Sequence, residues 1–214
     1  MILLTGGEKG GTGKSTVAVN LATWLATGGV DIVIIDTDPQ RTAAQWVERR
    51  NELDQLPRVH SIEKHGQVYE TARDMAGRYD QVIIDAGGRD SEELRSALVA
   101  ADVLCCPIRA SQPDLETTVH MNTLVQLAKG MNPDLTARLL ISMAPTNPGV
   151  KEADQARQLL DQLPEFSLLS SQISDRKAYR DTMTTGRGVI EHQNEKAQAE
   201  IKQLAEELYP EIRL

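Results

Sequence analysis

The sequence predicts an α/β fold: one domain, residues 1–214, in which a mostly parallel twisted sheet carries helices on both faces. Three observations predict it. Short, near-continuous aliphatic runs alternate with stretches of helical period, the pattern of a parallel sheet covered on both sides. The first run, Ile2-Leu3-Leu4, leads into a glycine-rich turn and then Gly13-Lys14-Ser15. Two further runs end in aspartate, at Asp36 and Asp85, and such sheets gather ligands at the carboxyl ends of their strands.

The elements follow in order. Residues 2–5 (ILLT) form the first strand, and a helix over 14–27 runs to the Gly28-Gly29 break. Residues 31–36 (DIVIID) form the second strand, and a helix over 40–53 starts at Gln40-Arg41-Thr42. A weaker strand near 58–62 and a helix over 67–78 precede the strand 81–85 (QVIID). A helix over 91–100, a strand at 102–106 (DVLCC), a helix over 113–129 and a strand at 138–143 (RLLISM) come next. Pro145, Asn147, Pro148 and Gly149 mark a turn, before a helix over 150–162 and a weak strand near 167–170. In the last helix, 194–208, Ala197, Ile201, Leu204, Ala205 and Leu208 recur at helical spacing. Its remaining surface is acidic, which fits packing on the domain's flank and not attachment to a membrane.

Composition narrows the class. The 214 residues are 40% hydrophobic and 25% charged, an ordinary globular balance. One Phe, four Tyr and two Trp leave the core to Leu, Ile, Val, Ala and Met. The net charge of −8 argues against a uniformly basic nucleic-acid surface, though not against a local patch. Cys105 and Cys106 are adjacent, so on a strand they point to opposite faces and are poorly placed to bridge; they read as small buried hydrophobes. No secretory leader and no apolar run of membrane-spanning length is visible, so the cytoplasm is expected. His60, His65, His120 and His192 lack ligand spacing, and Trp24 and Trp46 read as packing residues.

Three motifs carry the chemistry. In Lys9-Gly10-Gly11-Thr12-Gly13-Lys14-Ser15-Thr16, glycines let backbone N–H groups crowd around phosphates and the helix N-terminus adds its dipole. Lys14 reaches β/γ-phosphates and the Ser15 hydroxyl suits Mg²⁺. The loop is not the plain one: Glu8 stands where a glycine is usual, and Lys9 precedes the Gly-Gly pair. Lys9 reads either as a solvated lysine or as a second cation for phosphate charge. In Asp36-Thr37-Asp38-Pro39-Gln40, carboxylates beside a phosphate loop can organise Mg²⁺ through waters or orient an attacking water; alternatively one of them caps the next helix. Asp85-Ala86-Gly87-Gly88 places an acid on the Mg²⁺ side, with glycines that allow close backbone approach to a γ-phosphate.

Together these motifs resemble the deviant Walker A ATPases of the ParA/MinD family. Asp-Thr-Asp-Pro-Gln and the chain length favour the small ParA subgroup found on plasmids. The ending, with Ile173-Ser174-Asp175-Arg176, Tyr179, Gly186 and Val189-Ile190-Glu191, is similar too. The resemblance implies a single-domain P-loop NTPase fold and a Mg²⁺-dependent ATPase that converts ATP to ADP and phosphate. It implies that Lys9 crosses to the other subunit's phosphates in an ATP-bound dimer, and that Gly10, Gly11, Thr12 and Gly13 cradle phosphates. It further implies that Lys14 contacts β/γ oxygens, that Ser15, Asp36 and Asp85 form the metal side, and that Thr16 lies near the α-phosphate. It implies too that Asp38 positions the attacking water and that Met143 and Asn147 lie near adenine. The stretch 176–187 holds Arg176, Lys177, Arg180 and Arg187 against Asp181, a local surplus of three positive charges suited to non-specific DNA contact. Arg41, Arg49 and Arg50 form a less favoured basic group, and Arg89 reads as a solvated arginine.

The implied function is partition of a plasmid or chromosome: an ATP-bound dimer binds DNA non-specifically on the nucleoid, and a small centromere-binding protein stimulates hydrolysis. No membrane is expected as partner. A related ATPase moving another cargo (a conjugation complex, a chemoreceptor cluster or a protein compartment) is the near alternative. A small-molecule ligase or kinase, and a nucleotide-binding module without turnover, are weaker ones.

Overall fold

The protein, seen here as a computed structural model, is described over residues 1–109, 112–146 and 163–214, with the side chains of 112–116 outside that description. Seven strands and seven helices are described: β1 (Ile2–Thr5), α1 (Lys14–Thr27), β2 (Ile32–Asp36), α2 (Thr42–Asn51), β3 (His60–Glu63), α3 (Tyr69–Ala76), β4 (Gln81–Asp85), α4 (Glu92–Ala100), β5 (Val103–Ile108), α5 (Gln112–Lys129), β6 (Thr136–Ala144), β7 (Phe166–Ser174), α6 (Lys177–Thr185) and α7 (Glu195–Leu208), with a 3₁₀ turn at Val189–Glu191 before α7. The expected helix 150–162 lies outside the described residues.

The strands form one sheet in the order β3-β2-β4-β1-β5-β6-β7, and every pairing is parallel. Register decides where the site falls. Thr5 stands opposite Asp85 and Cys105, and Asp36 stands opposite Asp85. The ends of β1, β2 and β4 are therefore level, while β5 runs on past Cys105 to Ile108, and the chain leaves all four toward one edge.

Alternation along the strands divides the core in two. Leu3, Ile34, Ile83 and Cys105 face α1, α2, α6 and α7. Leu4, Ile35, Ile84 and Cys106 face α3, α4 and α5. The two cysteines are free and buried on opposite faces, and burial pushes the Cys106 thiol up to about 12. Both tryptophans are packing residues: Trp46 is fully buried and its indole N–H reaches the Thr182 and Arg187 carbonyls at 3.2 Å, while Trp24 stacks on Tyr209. The apolar stripe of α7 is buried, and α7 packs on β7 and α1, so that helix flanks the domain as its sequence predicts.

The sequence misses α6, which lies within the basic stretch. Its three threonines and its charges disguise a helix held by tertiary contacts: Ala178, Tyr179 and Thr182 are buried. It ends at Gly186 in the left-handed region (φ 69°), where a Cβ would stand 2.5 Å from the Arg50 backbone nitrogen. The basic group on α2 is likewise structural. The Arg50 side chain is wholly buried; it makes two 2.9 Å bonds to Glu191 and further bonds to the Gly186 and Pro57 carbonyls. Arg41 pairs with Glu48 and Glu63. Removing one member of a buried pair leaves the other charge uncompensated. Arg50→Ala is expected to cost about 3–5 kcal/mol of stability, read as a shift in the urea-unfolding midpoint.

Candidate functional site

The loop between β1 and α1 turns on two glycines in the left-handed region, Gly11 (φ 72°) and Gly13 (φ 92°), a conformation side chains resist. It is braced from two sides. Ser142 on β6 donates its hydroxyl to the Thr12 carbonyl at 2.6 Å, a support nothing in the sequence marks. The turn after β4 presses against it: a Cβ on Gly88 would lie 2.8 Å from both the nitrogen and Cα of Gly10. Lys14 is 6% exposed, and its ammonium donates to the Lys9 carbonyl at 2.7 Å. Burial lowers its pKa, partly opposed by the nearby Asp85 charge. This ammonium is buried against the Lys9 carbonyl, so an anion entering the loop meets a weakly solvated cation.

Asp85 lies at the centre. It is fully buried, and burial pushes its pKa up to about 7 despite hydrogen bonds from Ser15 and Thr5. Thr5 Oγ1 donates to its Oδ1 at 3.2 Å, while Oδ2 is buried with no hydrogen-bond partner among the described residues. A buried acceptor beside a serine hydroxyl at a phosphate loop is the oxygen environment a hard divalent cation takes. Ser15 and Asp85 therefore fit Mg²⁺.

The two aspartates after β2 divide as the sequence left open. Asp36 is 1% exposed and spends both oxygens on backbone: Oδ1 accepts from Asp38 at 3.0 Å and Oδ2 from Ala44 at 2.8 Å, in the first turn of α2. Asp36 is the helix-holding acid, and its charge helps raise Asp85. Asp38 is partly exposed; its Oδ1 accepts from the Gln40 N–H at 2.9 Å, and its carboxyl faces Gly87, 3.5 Å from where a Cβ would be. Asp38 thus sits beside Gly87, whose neighbour Gly88 packs against the phosphate loop. Arg89 is exposed.

Behind Gly13 and Thr16 opens a cleft of about 260 Å³, lined also by Met143, Ile173, Tyr179 and Met183. Met143 lines this cleft with a positive φ of 52° and is 39% exposed. Asn147 lies outside the described residues. The sequence missed β7's contribution to this cleft, although a strand end beside the loop is the signal that finds it.

The basic stretch 176–187 needs correction. Glu200 holds Arg176 at 2.8 Å, Asp181 holds Lys177 at 2.7 Å, and Asp175 holds Arg180. Four cations thus face three carboxylates, because Asp175 and Glu200 lie outside the stretch in sequence and beside it in space. Arg176 and Arg180 also line the cleft, whereas Lys177, Arg180 and Arg187 are exposed.

The fold and site define a class: a parallel α/β protein with a glycine-turn loop between its first strand and helix, a buried aspartate with an unpartnered oxygen beside that loop, and a second, partly exposed aspartate nearby. The ATPase MipZ family matches residues 1–129. Maintenance of carboxysome distribution protein A from Gloeobacter kilaueensis is 30% identical over 206 residues, spanning 94% of this chain and 90% of that protein. The chain belongs to the MipZ/ParA/MinD family of ATPases. Two solved structures share its fold. A Cyanothece McdA variant in complex with ATP has a TM-score of 0.77 at 15% identity, over 100% of this chain and 97% of that one. A Borrelia burgdorferi plasmid partition protein bound to AMPPNP has a TM-score of 0.74 at 19% identity, over 99% of each chain. No helix among the described residues is long and apolar enough to cross a membrane.

Proposed function

We propose that the protein is a Mg²⁺-dependent positioning ATPase: ATP closes a homodimer that binds DNA non-specifically, and a partner protein triggers hydrolysis and release. The observation that carries the catalytic part is the convergence at one strand edge of the Gly11–Ser15 turn, the buried Asp85 with an unpartnered oxygen, and Gly88 packed on Gly10. Lys14 would leave the Lys9 carbonyl for β/γ-phosphate oxygens, and the loop's N–H groups would bind the phosphates. Ser15 and Asp85 would hold Mg²⁺, which supplies charge neutralisation across the phosphates when bound. Asp38 orients the attacking water, and Gly87-Gly88 can shift when phosphate leaves because they carry no side chain. Lys9, one residue before the glycine pair, supplies the second cation across the dimer. Met143 and the β7 end hold the base.

Two cargoes are in play. Plasmid or chromosome partition, with a centromere-binding partner, is supported by the Asp-Thr-Asp-Pro-Gln motif and by similarity to ParA of Rhizobium radiobacter, 27% identical over 128 residues. Positioning of a protein compartment is supported at least as well, since the carboxysome distribution protein aligns along 94% of the chain. Both need the same switch. Fluorescence anisotropy of a random-sequence duplex should rise with protein, Mg²⁺ and ATP, fall with added salt, and stay low with ADP or no nucleotide. Exposed Lys177 and Arg187 are the first contacts to alter. A duplex that never binds in any nucleotide state removes DNA from the scheme and leaves the ATPase.

A further inference from the structure

One cluster lies outside the nucleotide machinery. Glu8, in the loop after β1, accepts or shares a proton with His120 Nδ1 on α5 at 2.7 Å. Asp90, in the loop before α4, completes the group: one ligand atom from each of the three lies within 4.8 Å of the others. These residues are 82 and 30 positions apart in sequence, and none of them belongs to the glycine turn over 10–15 or to the two aspartate motifs. We propose that Glu8, Asp90 and His120 bind one divalent transition-metal ion of the zinc class on the outer side of the phosphate loop.

The donor set decides the ion class. One imidazole with two carboxylates suits Zn²⁺ and its neighbours, whereas Mg²⁺ takes oxygen donors and keeps its waters. Bonds of about 2.0–2.2 Å to nitrogen and oxygen place ligand atoms closer together than 4.8 Å, a contraction that side-chain rotation covers. Arg95 supplies the outer support: its Nε donates to Asp90 Oδ1 at 2.7 Å and its Nη2 to Oδ2 at 2.5 Å. Each carboxylate oxygen retains a second lone pair for a metal, and hydrogen-bonded carboxylates are the usual ligands. The His120 side chain is 54% exposed and that of Asp90 26%, so the ion reaches the site from solvent and water fills its remaining positions. A bound ion ties the residue preceding Lys9 to α5 and to the α4 loop.

Isothermal titration of ZnCl₂ into the whole chain, with excess Mg²⁺ and no nucleotide, tests this. One equivalent is expected to bind. His120→Ala and Asp90→Asn, both at partly exposed positions and checked for an unchanged circular dichroism spectrum, are each expected to lose it. Arg95→Gln should weaken it about tenfold. No binding, or one equivalent retained in either ligand variant, overturns the site. Either result leaves the ATPase reading untouched, because none of these residues holds phosphate or Mg²⁺.

Discussion

Asp85→Asn is expected to make the nucleotide-free protein more stable at neutral pH while lowering its ATPase activity by orders of magnitude. Burial raises the Asp85 carboxyl from an ordinary 3.8 to about 7. Between those values the folded chain binds the proton more tightly than the unfolded chain, so stability falls as pH rises through that window and levels off above it. The full span corresponds to on the order of 4 kcal/mol. Asparagine keeps the shape and removes the charge, and the Ser15 and Thr5 hydroxyls can accept from its amide. Urea unfolding without nucleotide should show wild-type stability declining from about pH 4 to pH 7, with a flatter profile for the variant. Turnover should fall by about 10²–10³-fold, since the oxygen that faces the metal side is gone. A variant that is less stable at pH 7.5, or one that still hydrolyses ATP at the wild-type rate, would count against Asp85 as a strained functional acid. Stability given up at a site and recovered when the site is dismantled is a common trade-off.

Asp38→Ala carries the second large effect. The carboxyl of Asp38 stands at the mouth of the site against Gly87 and, among the described residues, makes a local turn bond to Gln40. Its removal should leave the fold and nucleotide affinity nearly unchanged and lower phosphate release by about 10²–10⁴-fold, the scale of a lost proton acceptor. Asp36 offers the contrast. Its two bonds to the Asp38 and Ala44 backbone make it part of the framework, so alanine there would be read first in stability.

Much of this was legible in the sequence because local chemistry and fold agree. The first strand and helix fall at 2–5 and 14–27 as read, since the glycine turn punctuates both. The β4 strand ends at Asp85 as expected, and the residues of the three motifs gather at one edge. The edge strands β3 and β7 gave weak signals for a physical reason: β3 is largely exposed and β7 mixes polar with apolar residues. What was hidden depends on neighbours distant in the chain. Asp175 and Glu200 neutralise a stretch that looks strongly basic, Thr182 is buried by Trp46, and Glu8 meets His120 across 112 residues. Spacing alone leaves open which of Asp36 and Asp38 caps the next helix, and the backbone bonds of Asp36 to Asp38 and Ala44 give that part to Asp36.

The central claim is that nucleotide controls association, with Lys9 of each chain completing the site of the other. Sedimentation velocity of the Asp38→Ala protein with Mg²⁺ tests it most directly, because slow hydrolysis preserves the ATP-bound state. Twice the single-chain mass is expected with ATP, a single chain with ADP, and a single chain with ATP once Lys9→Ala is added. One mass in all three conditions would contradict it.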